Sequence, residues 1–174
     1  IEANPIAAAR ANPAPGVAGF DARVSAITPA SQRLLESLGS WDAVSAQRLC
    51  PYRHMQVWDA EGTGQIGFDA GELDVPELGH IVENRVLTSA LLEDVASLPG
   101  VSLFNPARLQ ALQPEPNGRH RLLLEDGREL TAGLVVAADG ALSRVRDLAA
   151  FQTREWDYGH HAMVATVETE HFHE

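Results

Sequence analysis

One apolar run that ends at an Asp-Gly pair constrains this chain more than any other feature. Residues 134–138 are continuously apolar, Asp139 and Gly140 follow directly, and Ser143 and Arg146 come shortly after. Short apolar runs are typical of buried strands, and Asp-Gly pairs are typical of tight turns. The pattern therefore predicts a buried parallel strand, a turn and a helix start, which is where ligands bind in open α/β sheets.

Each residue after this run has a chemical use at such a site. Gly140 can adopt a positive φ and let a ligand approach the backbone. Asp139 could accept a hydrogen bond from a sugar or ribityl hydroxyl, and Ser143 could cap the next helix. Arg144 and Arg146 could hold a phosphate. An ordinary strand-to-helix connection without a ligand fits the same pattern equally well.

A second Asp-Gly pair shows how little the dipeptide proves alone. Asp126 and Gly127 lie between the short segments 121–124 (Arg-Leu-Leu-Leu) and 128–131 (Arg-Glu-Leu-Thr). That arrangement predicts a hairpin turn rather than a ligand site.

Composition excludes several classes of protein. The chain has 174 residues, 45% hydrophobic and 21% charged, as in a soluble globular protein of one domain or one and a part. Its net charge of −11 argues against nucleic-acid binding. Cys50 is the only cysteine, which excludes an intramolecular disulfide and favours a reducing, cytoplasmic setting. Because no apolar run is long enough to span a bilayer, we expect any membrane contact to be peripheral.

Hydrophobic periodicity and turn residues predict the remaining elements. They are a loop at 3–19, an extended segment at 20–27, a helix from Thr28 and Pro29 to Gly39 with the apolar stripe Leu34, Leu35 and Leu38, strands at 52–58 and 65–68, a helix at 83–98, strands at 101–104, 108–113, 119–124 and 128–131, and a strand at 161–167. Trp41 is expected in the core, because burial is the commonest use of a large aromatic ring.

Two further patterns could carry chemistry. Two histidine pairs, at 160–161 and at His171 and His173, could suggest a metal site. Because catalytic zinc needs about three protein ligands, we interpret these histidines as solvated and predict no metal. Glu2 resembles the acid that ends a strand and binds ribose in dinucleotide-binding folds, but a solvated glutamate is the simpler interpretation.

Several stretches taken together resemble the FAD-dependent aromatic hydroxylases, and most closely the ubiquinone-biosynthesis hydroxylases related to 2-polyprenylphenol hydroxylase. They follow the order of that family along nearly the whole chain. The stretches are Arg23 to Ile27, Leu34-Leu35 with Leu38-Gly39-x-Trp41, Val57-Trp58-Asp59, Leu78 to Asn84, Ala138-Asp139-Gly140 with Ser143 and Arg146, and Trp156 to Thr166.

The resemblance implies a set of cofactor-binding residues and assigns no catalytic residue. They are Glu2 on the FAD ribose, Arg23 near the flavin, Glu83, Asn84 and Arg85 at the start of a cofactor-contacting helix, and Asp139, Gly140 and Arg146 in a fingerprint that holds FAD and assists NADPH.

The implied fold is an α/β, Rossmann-like FAD/NAD(P)-binding domain of aromatic hydroxylase type, incomplete, with a small β-meander. Residues 1–150 would be the partial FAD-binding domain, including inserted strands at about 52–68, and residues 151–174 would begin the substrate-binding sheet. The family's Gly-x-Gly-x-x-Gly turn and its later Gly-Asp segment are missing from these residues. We therefore expect an internal fragment that binds FAD poorly and does not turn over by itself.

The implied activity is an FAD-dependent, NAD(P)H-using monooxygenase that hydroxylates a polyprenylated phenol with molecular oxygen in ubiquinone biosynthesis. The resemblance allows an oligomer, a ubiquinone-synthesis complex and a cytoplasmic location at the periphery of the inner membrane. Two alternatives stay open: a flavin hydroxylase of a soluble aromatic compound, and a non-catalytic scaffold module.

Overall fold

The computed structural model describes residues 1–6 and 19–171, which belong to two compact units. The first, here called the Glu83 unit, comprises residues 19–101 and 162–171. The second, the Asp139 unit, comprises residues 1–6 and 102–161. Most of the predicted loop at 3–19 lies outside the described residues. The division at residue 150 expected from the sequence stays a prediction.

The Glu83 unit is built from an antiparallel sheet and the helices that are connected to its strands. Its elements are β1 (Val24–Ile27), α1 (Pro29–Leu38), α2 (Trp41–Ser45), β2 (Leu49–Tyr52), β3 (His54–Trp58), β4 (Gln65–Asp69), a 3-10 turn (Ala70–Leu73), β5 (Gly79–Glu83) and α3 (Asn84–Ser97). The strand order of the sheet is β1-β5-β2, and β3 and β4 form a separate hairpin.

The core of this unit lies between β5 and the helices. Val82 and Val44 are fully buried, and Val86 and Ala90 present the apolar side of α3 to them. Trp41 packs against this cluster, which confirms its predicted core position. β5 is buried on both faces, and it carries the buried polar residues His80 and Glu83 beside the apolar Ile81 and Val82.

The helix predicted to begin at Thr28 is confirmed as α1. The Thr28 side chain accepts a hydrogen bond from the Ser31 amide, and Gly39 ends the helix in the left-handed conformation with φ 82°. The predicted apolar stripe is buried only in part. Leu35 lies in the interior, whereas Leu34 and Leu38 are each 59% exposed.

The hairpin of β3 and β4 has one apolar face. Met55 pairs with Phe68 and Val57 with Ile66, so these four side chains share a face, and all are substantially exposed. The sequence prediction of one strand from 52 to 58 was wrong in its start, because Tyr52 pairs with β5 as the end of β2.

A three-stranded antiparallel meander forms most of the Asp139 unit. Its strands are β6 (Leu109–Pro114), β7 (His120–Leu124) and β8 (Glu129–Ala132), and a short helix, α4 (Arg144–Leu148), follows. Leu122 and Leu124 are buried on β7. The predicted hairpin turn at Gly127 is confirmed, with φ 87° and an amide bonded to the Leu124 carbonyl.

Three predicted strands, at 101–104, 134–138 and 161–167, are not formed. The segment 134–138 was expected to be a buried parallel strand, yet Leu134 is 78% exposed and Val136 is 77% exposed. A parallel strand exists only when its amides and carbonyls bond to neighbouring strands, and no described residue supplies such a neighbour here. No helix within residues 1–6 and 19–171 is long and apolar enough to cross a membrane.

Candidate cofactor site

Two arginines share one carboxylate and one carbonyl in the Glu83 unit. Arg48 Nε donates to Glu83 Oε1 at 2.6 Å, and Arg85 donates to Glu83 Oε2 from Nε at 2.9 Å and from Nη2 at 2.8 Å. The Nη2 atoms of Arg48 and Arg85 also donate to the Gly19 carbonyl, at 2.8 and 2.7 Å. Sheet register explains the encounter: Leu49 pairs with Val82, so Arg48 comes beside Glu83 at the end of β5.

The same carboxylate holds the chain that precedes β1. Glu83 Oε2 accepts from the Asp21 amide at 2.7 Å, and the Asp21 carboxylate accepts from the Arg23 amide at 2.9 Å. The Arg23 carbonyl in turn accepts from the Asn84 amide at 3.0 Å. Residues 19–23 are therefore fixed against the start of α3 by a continuous set of hydrogen bonds.

Glu83 is ionised in this environment despite its burial. Burial of the carboxyl disfavours the charged form, but the Asp21 amide, Arg48 and Arg85 outweigh it, so the pKa of Glu83 lies below its ordinary value of 4.5. With its oxygens bonded to three partners, Glu83 organises the other groups of this cluster. Its predicted contact with the cofactor stays a prediction.

The N-terminus of α3 offers donors to an anion. No side chain caps this 14-residue helix in the described structure, although Glu83 occupies the N-cap position. The Asn84 side chain accepts from the Ser25 hydroxyl at 2.6 Å through Oδ1, and its Nδ2 atom has no partner among the described residues. Arg23 is exposed, and its guanidinium likewise bonds to no described residue.

Asp139 closes the turn that precedes α4. Its carboxylate accepts from the Ser143 hydroxyl at 2.5 Å and from the Val145 amide at 3.1 Å. These hydrogen bonds, the one from Ser143 first, hold the pKa of Asp139 below its ordinary value. Ser143 caps α4 by accepting from the Arg146 amide at 3.1 Å, as predicted.

Gly140 lies in this turn, and Arg146 lies in the first turn of α4. Gly140 has φ 85°, and a Cβ placed on it would meet no atom of the described residues within 4 Å. A ligand could therefore approach this backbone closely. The Arg146 guanidinium lies 3.7 Å from Glu155 and 3.9 Å from Asp147, so its charge is partly matched within the chain.

Glu2 is held by its main chain beside the segment that leads to the meander. Its amide donates to the Phe104 carbonyl at 2.9 Å, and its carbonyl accepts from the Ala107 amide at 2.8 Å. Among the described residues, only the nearby Asn4 amide donates to the exposed carboxylate, at 2.7 Å. This geometry leaves the second carboxylate oxygen accessible to a hydroxyl group.

The predicted site residues fall into two groups, one in each unit. Arg23, Glu83, Asn84 and Arg85 are brought together in the Glu83 unit, and Asp139, Gly140 and Arg146 in the Asp139 unit, with Glu2 apart from that turn. Their roles toward a cofactor stay predictions. Arg48 was missed because no local motif marks it: its partner Glu83 lies 35 positions further along the chain.

The donor chemistry of these residues fits FAD. Its pyrophosphate is an anion and its ribose and ribityl chains carry hydroxyls, which match guanidinium groups, an uncapped helix N-terminus and carboxylate acceptors. Within residues 1–6 and 19–171 no three His, Cys, Asp or Glu side chains come together, and the expected absence of a metal stays a prediction. His160 and His161 lie in exposed irregular chain, and His173 lies outside the described residues.

The comparisons with known proteins assign this chain the FAD-binding fold of the aromatic hydroxylases. The chain belongs to the FAD-binding domain family, whose model matches residues 18–173. This confirms the α/β, FAD-binding fold class expected from the sequence.

Curated relatives narrow the resemblance to ubiquinone biosynthesis. The chain is 43% identical over 162 residues to the 3-demethoxyubiquinol 3-hydroxylase of Escherichia coli K12, covering 92% of this chain and 41% of the relative. It is 39% identical over 156 residues to the ubiquinone hydroxylase UbiL of Rhodospirillum rubrum, covering 90% and 36%. It is also 39% identical over 156 residues to the mitochondrial ubiquinone biosynthesis monooxygenase COQ6 of Xenopus tropicalis, covering 85% and 33%. The chain thus spans about two fifths or less of these relatives.

Solved structures support the fold. PqsL, a probable FAD-dependent monooxygenase from Pseudomonas aeruginosa, matches with a TM-score of 0.63 at 22% identity, over 84% of this chain and 39% of that one. PqsL in complex with 2-aminobenzoylacetate matches with a TM-score of 0.62 at 23% identity, over 78% and 38%. At these identities the likeness concerns the fold alone.

Proposed function

We propose that this chain is part of an FAD-dependent, NAD(P)H-using monooxygenase that hydroxylates a polyprenylated phenol ring in ubiquinone biosynthesis. The observation that carries the proposal is its similarity, along nearly its whole length, to relatives that are ubiquinone-biosynthesis hydroxylases. Those relatives are named for other reactions, so the polyprenylphenol substrate is the more specific part of the proposal.

The residues of this chain would bind and orient the cofactor. When bound, FAD carries electrons from NAD(P)H to molecular oxygen and supplies the oxidising chemistry. Arg23, Asn84 and the N-terminus of α3 would hold its anionic and polar groups, while Glu2 would accept a hydrogen bond from a ribose hydroxyl. Gly140 would allow close approach to the backbone, and Arg146 would add positive charge.

The substrate class implies where the protein works. A polyprenylated phenol is held in a membrane by its apolar tail, so we propose a cytoplasmic enzyme that contacts the inner membrane peripherally or receives substrate within a ubiquinone-synthesis complex. Both arrangements are proposals from the chemistry of the substrate.

The complete gene product provides the test. Any bound cofactor is released by heat and identified, and NADPH oxidation is followed with a 2-polyprenylphenol analogue, with 3-demethoxyubiquinol and without substrate. Release of FAD together with oxidation stimulated by the polyprenylphenol supports the proposal. If only 3-demethoxyubiquinol stimulates oxidation, it is the substrate and the polyprenylphenol is not. A folded product that contains no FAD would overturn the proposed activity itself.

A further inference from the structure

Arg48 makes three different contacts around the predicted cofactor residues. Its Nε bonds to Glu83 at 2.6 Å, its Nη2 bonds to the Gly19 carbonyl at 2.8 Å, and its guanidinium carbon lies 3.9 Å from the centre of the Phe20 ring. About a third of the side chain is exposed. The planar guanidinium of Arg48 therefore connects the end of β5 to two consecutive residues, Gly19 and Phe20, of the loop that precedes β1.

This loop leads directly to Arg23. Glu83 also holds the Asp21 amide, and Asp21 holds the Arg23 amide, so each link from Arg48 to Arg23 is a hydrogen bond. The Asn84 amide bonds to the Arg23 carbonyl on the other side. The backbone position from which the Arg23 side chain projects thus depends on the cluster that Arg48 completes.

We propose that Arg48 is a positioning residue for FAD binding, which fixes residues 19–23 and thereby places Arg23 for the cofactor. The inference rests on the proposed function, because it takes Arg23 to be a cofactor contact. Arg48 acts through Glu83 and Gly19 and does not itself touch FAD.

The contacts require arginine rather than any cation. A guanidinium can donate in its plane to Glu83 and Gly19 while its face covers Phe20. A lysine ammonium at this position could keep the charge beside Glu83 but has no flat face and no donor fork. Arg48→Lys therefore separates geometry from charge.

The positive charge of Arg48 is its second contribution to FAD binding. Arg48 and Arg85 carry two positive charges against the single negative charge of Glu83, so the cluster keeps one net positive charge near the uncapped start of α3. Arg48→Gln removes this surplus as well as the geometry. We expect the order of FAD affinity to be wild type, then Arg48→Lys, then Arg48→Gln.

The experiment measures FAD dissociation constants on the apoprotein of the complete gene product by quenching of FAD fluorescence. Arg48→Gln should weaken binding by about tenfold or more and Arg48→Lys by about threefold, since charge-assisted hydrogen bonds are the stronger class. Phe20→Leu should weaken binding by about twofold to threefold, because only the cation–π contact is lost.

Arg128→Gln is the matched control. Arg128 also pairs with a carboxylate, Asp126, and lies 5.1 Å from an aromatic ring, that of Phe104, but it belongs to the meander. We expect its FAD affinity to equal that of wild type.

Trypsin supplies a second measurement: cleavage after Arg23 in the apoprotein should accelerate in Arg48→Gln and stay unchanged in Arg128→Gln.

The outcomes separate the inference from the function on which it rests. If folded Arg48→Gln binds FAD like wild type, or loses only thermal stability, Arg48 has a structural role and the inference is wrong. If Arg48→Gln does not fold, Arg48→Lys and Phe20→Leu decide in the same way. A folded wild-type product that binds no FAD would overturn the proposed function and, with it, this inference.

Discussion

Arg48 Nε lies 2.6 Å from an oxygen of Glu83 whose side chain is only 6% exposed. A carboxylate with so little solvent is stable as an anion only because protein donors replace water. Arg48, Arg85 and the Asp21 amide supply those donors. The ion pairs are therefore a condition for burying the start of α3 and the end of β5 together.

Glu83→Gln should lower the free energy of unfolding by about 2 kcal/mol. This loss is smaller than that for breaking a fully buried ion pair, because both arginines keep some contact with solvent. Glu115→Gln is the control: Glu115 pairs with the half-exposed Arg121, and its loss should cost under about 1 kcal/mol. Urea unfolding of the complete gene product at neutral pH measures both. Equal effects of the two substitutions would contradict this account of Glu83.

The pH dependence of stability should reveal the same carboxylate. Because the pKa of Glu83 is lower in the folded state than its ordinary 4.5, its contribution is complete above about 4.5 and is lost as the pH falls through the folded value. The stability difference between wild type and Glu83→Gln should therefore shrink on acidification below this point. Urea midpoints at a series of pH values test it, and a difference that grows on acidification would refute the ionised form.

Gly79→Ala should disrupt the sheet of the Glu83 unit. A Cβ at Gly79 would overlap the carbonyl oxygen of Ile27 on β1 and come within 3.2 Å of the Tyr52 ring on β2, so both neighbours of β5 would have to move. We expect a loss of about 3 kcal/mol. Gly67→Ala on β4 is the control, because its nearest contact is an ordinary 3.9 Å. Thermal unfolding compares them, and similar melting temperatures would argue against this strand packing.

Gly140→Ala isolates the cost of a positive φ. No atom of the part of the chain that the structure describes lies within 4 Å of the added Cβ, so the left-handed backbone alone should destabilise the protein by about 1 kcal/mol. Gly133→Ala, equally open but without a positive φ, should be nearly neutral. If the turn also contacts FAD, Gly140→Ala will weaken FAD binding while Gly133→Ala will not. Isothermal titration of FAD into the apoproteins distinguishes the two effects.

Local sequence signals were sufficient where an element is specified by its own residues. Thr28, Pro29 and Gly39 carry the cap, first turn and end of α1, so the helix was predictable. The meander was predictable because turn residues such as Gly127 separate its strands.

Elements whose form depends on distant residues were not predictable in the same way. The segment 134–138 has the composition of a buried strand, but a strand needs partners, and composition does not reveal whether they are present. Arg48 has no local signal either, because sheet pairing, rather than spacing along the chain, brings it to Glu83.

Asp139 accepts a hydrogen bond from the Val145 amide at the start of α4, and we propose that it also accepts one from the cofactor. Ser143→Ala removes the hydroxyl that bonds to Asp139 but leaves the carboxylate in place, so it should lower thermal stability without weakening FAD binding. Asp139→Ala removes the carboxylate and should lower both thermal stability and FAD affinity. Asp139→Asn keeps one acceptor oxygen and should give values between those of Ser143→Ala and Asp139→Ala. Melting temperatures and FAD dissociation constants of the three variants test this order. If Asp139→Ala lowers stability but leaves FAD affinity unchanged, Asp139 is a helix cap only, and the proposed cofactor contact at this turn must come from Gly140 or Arg146.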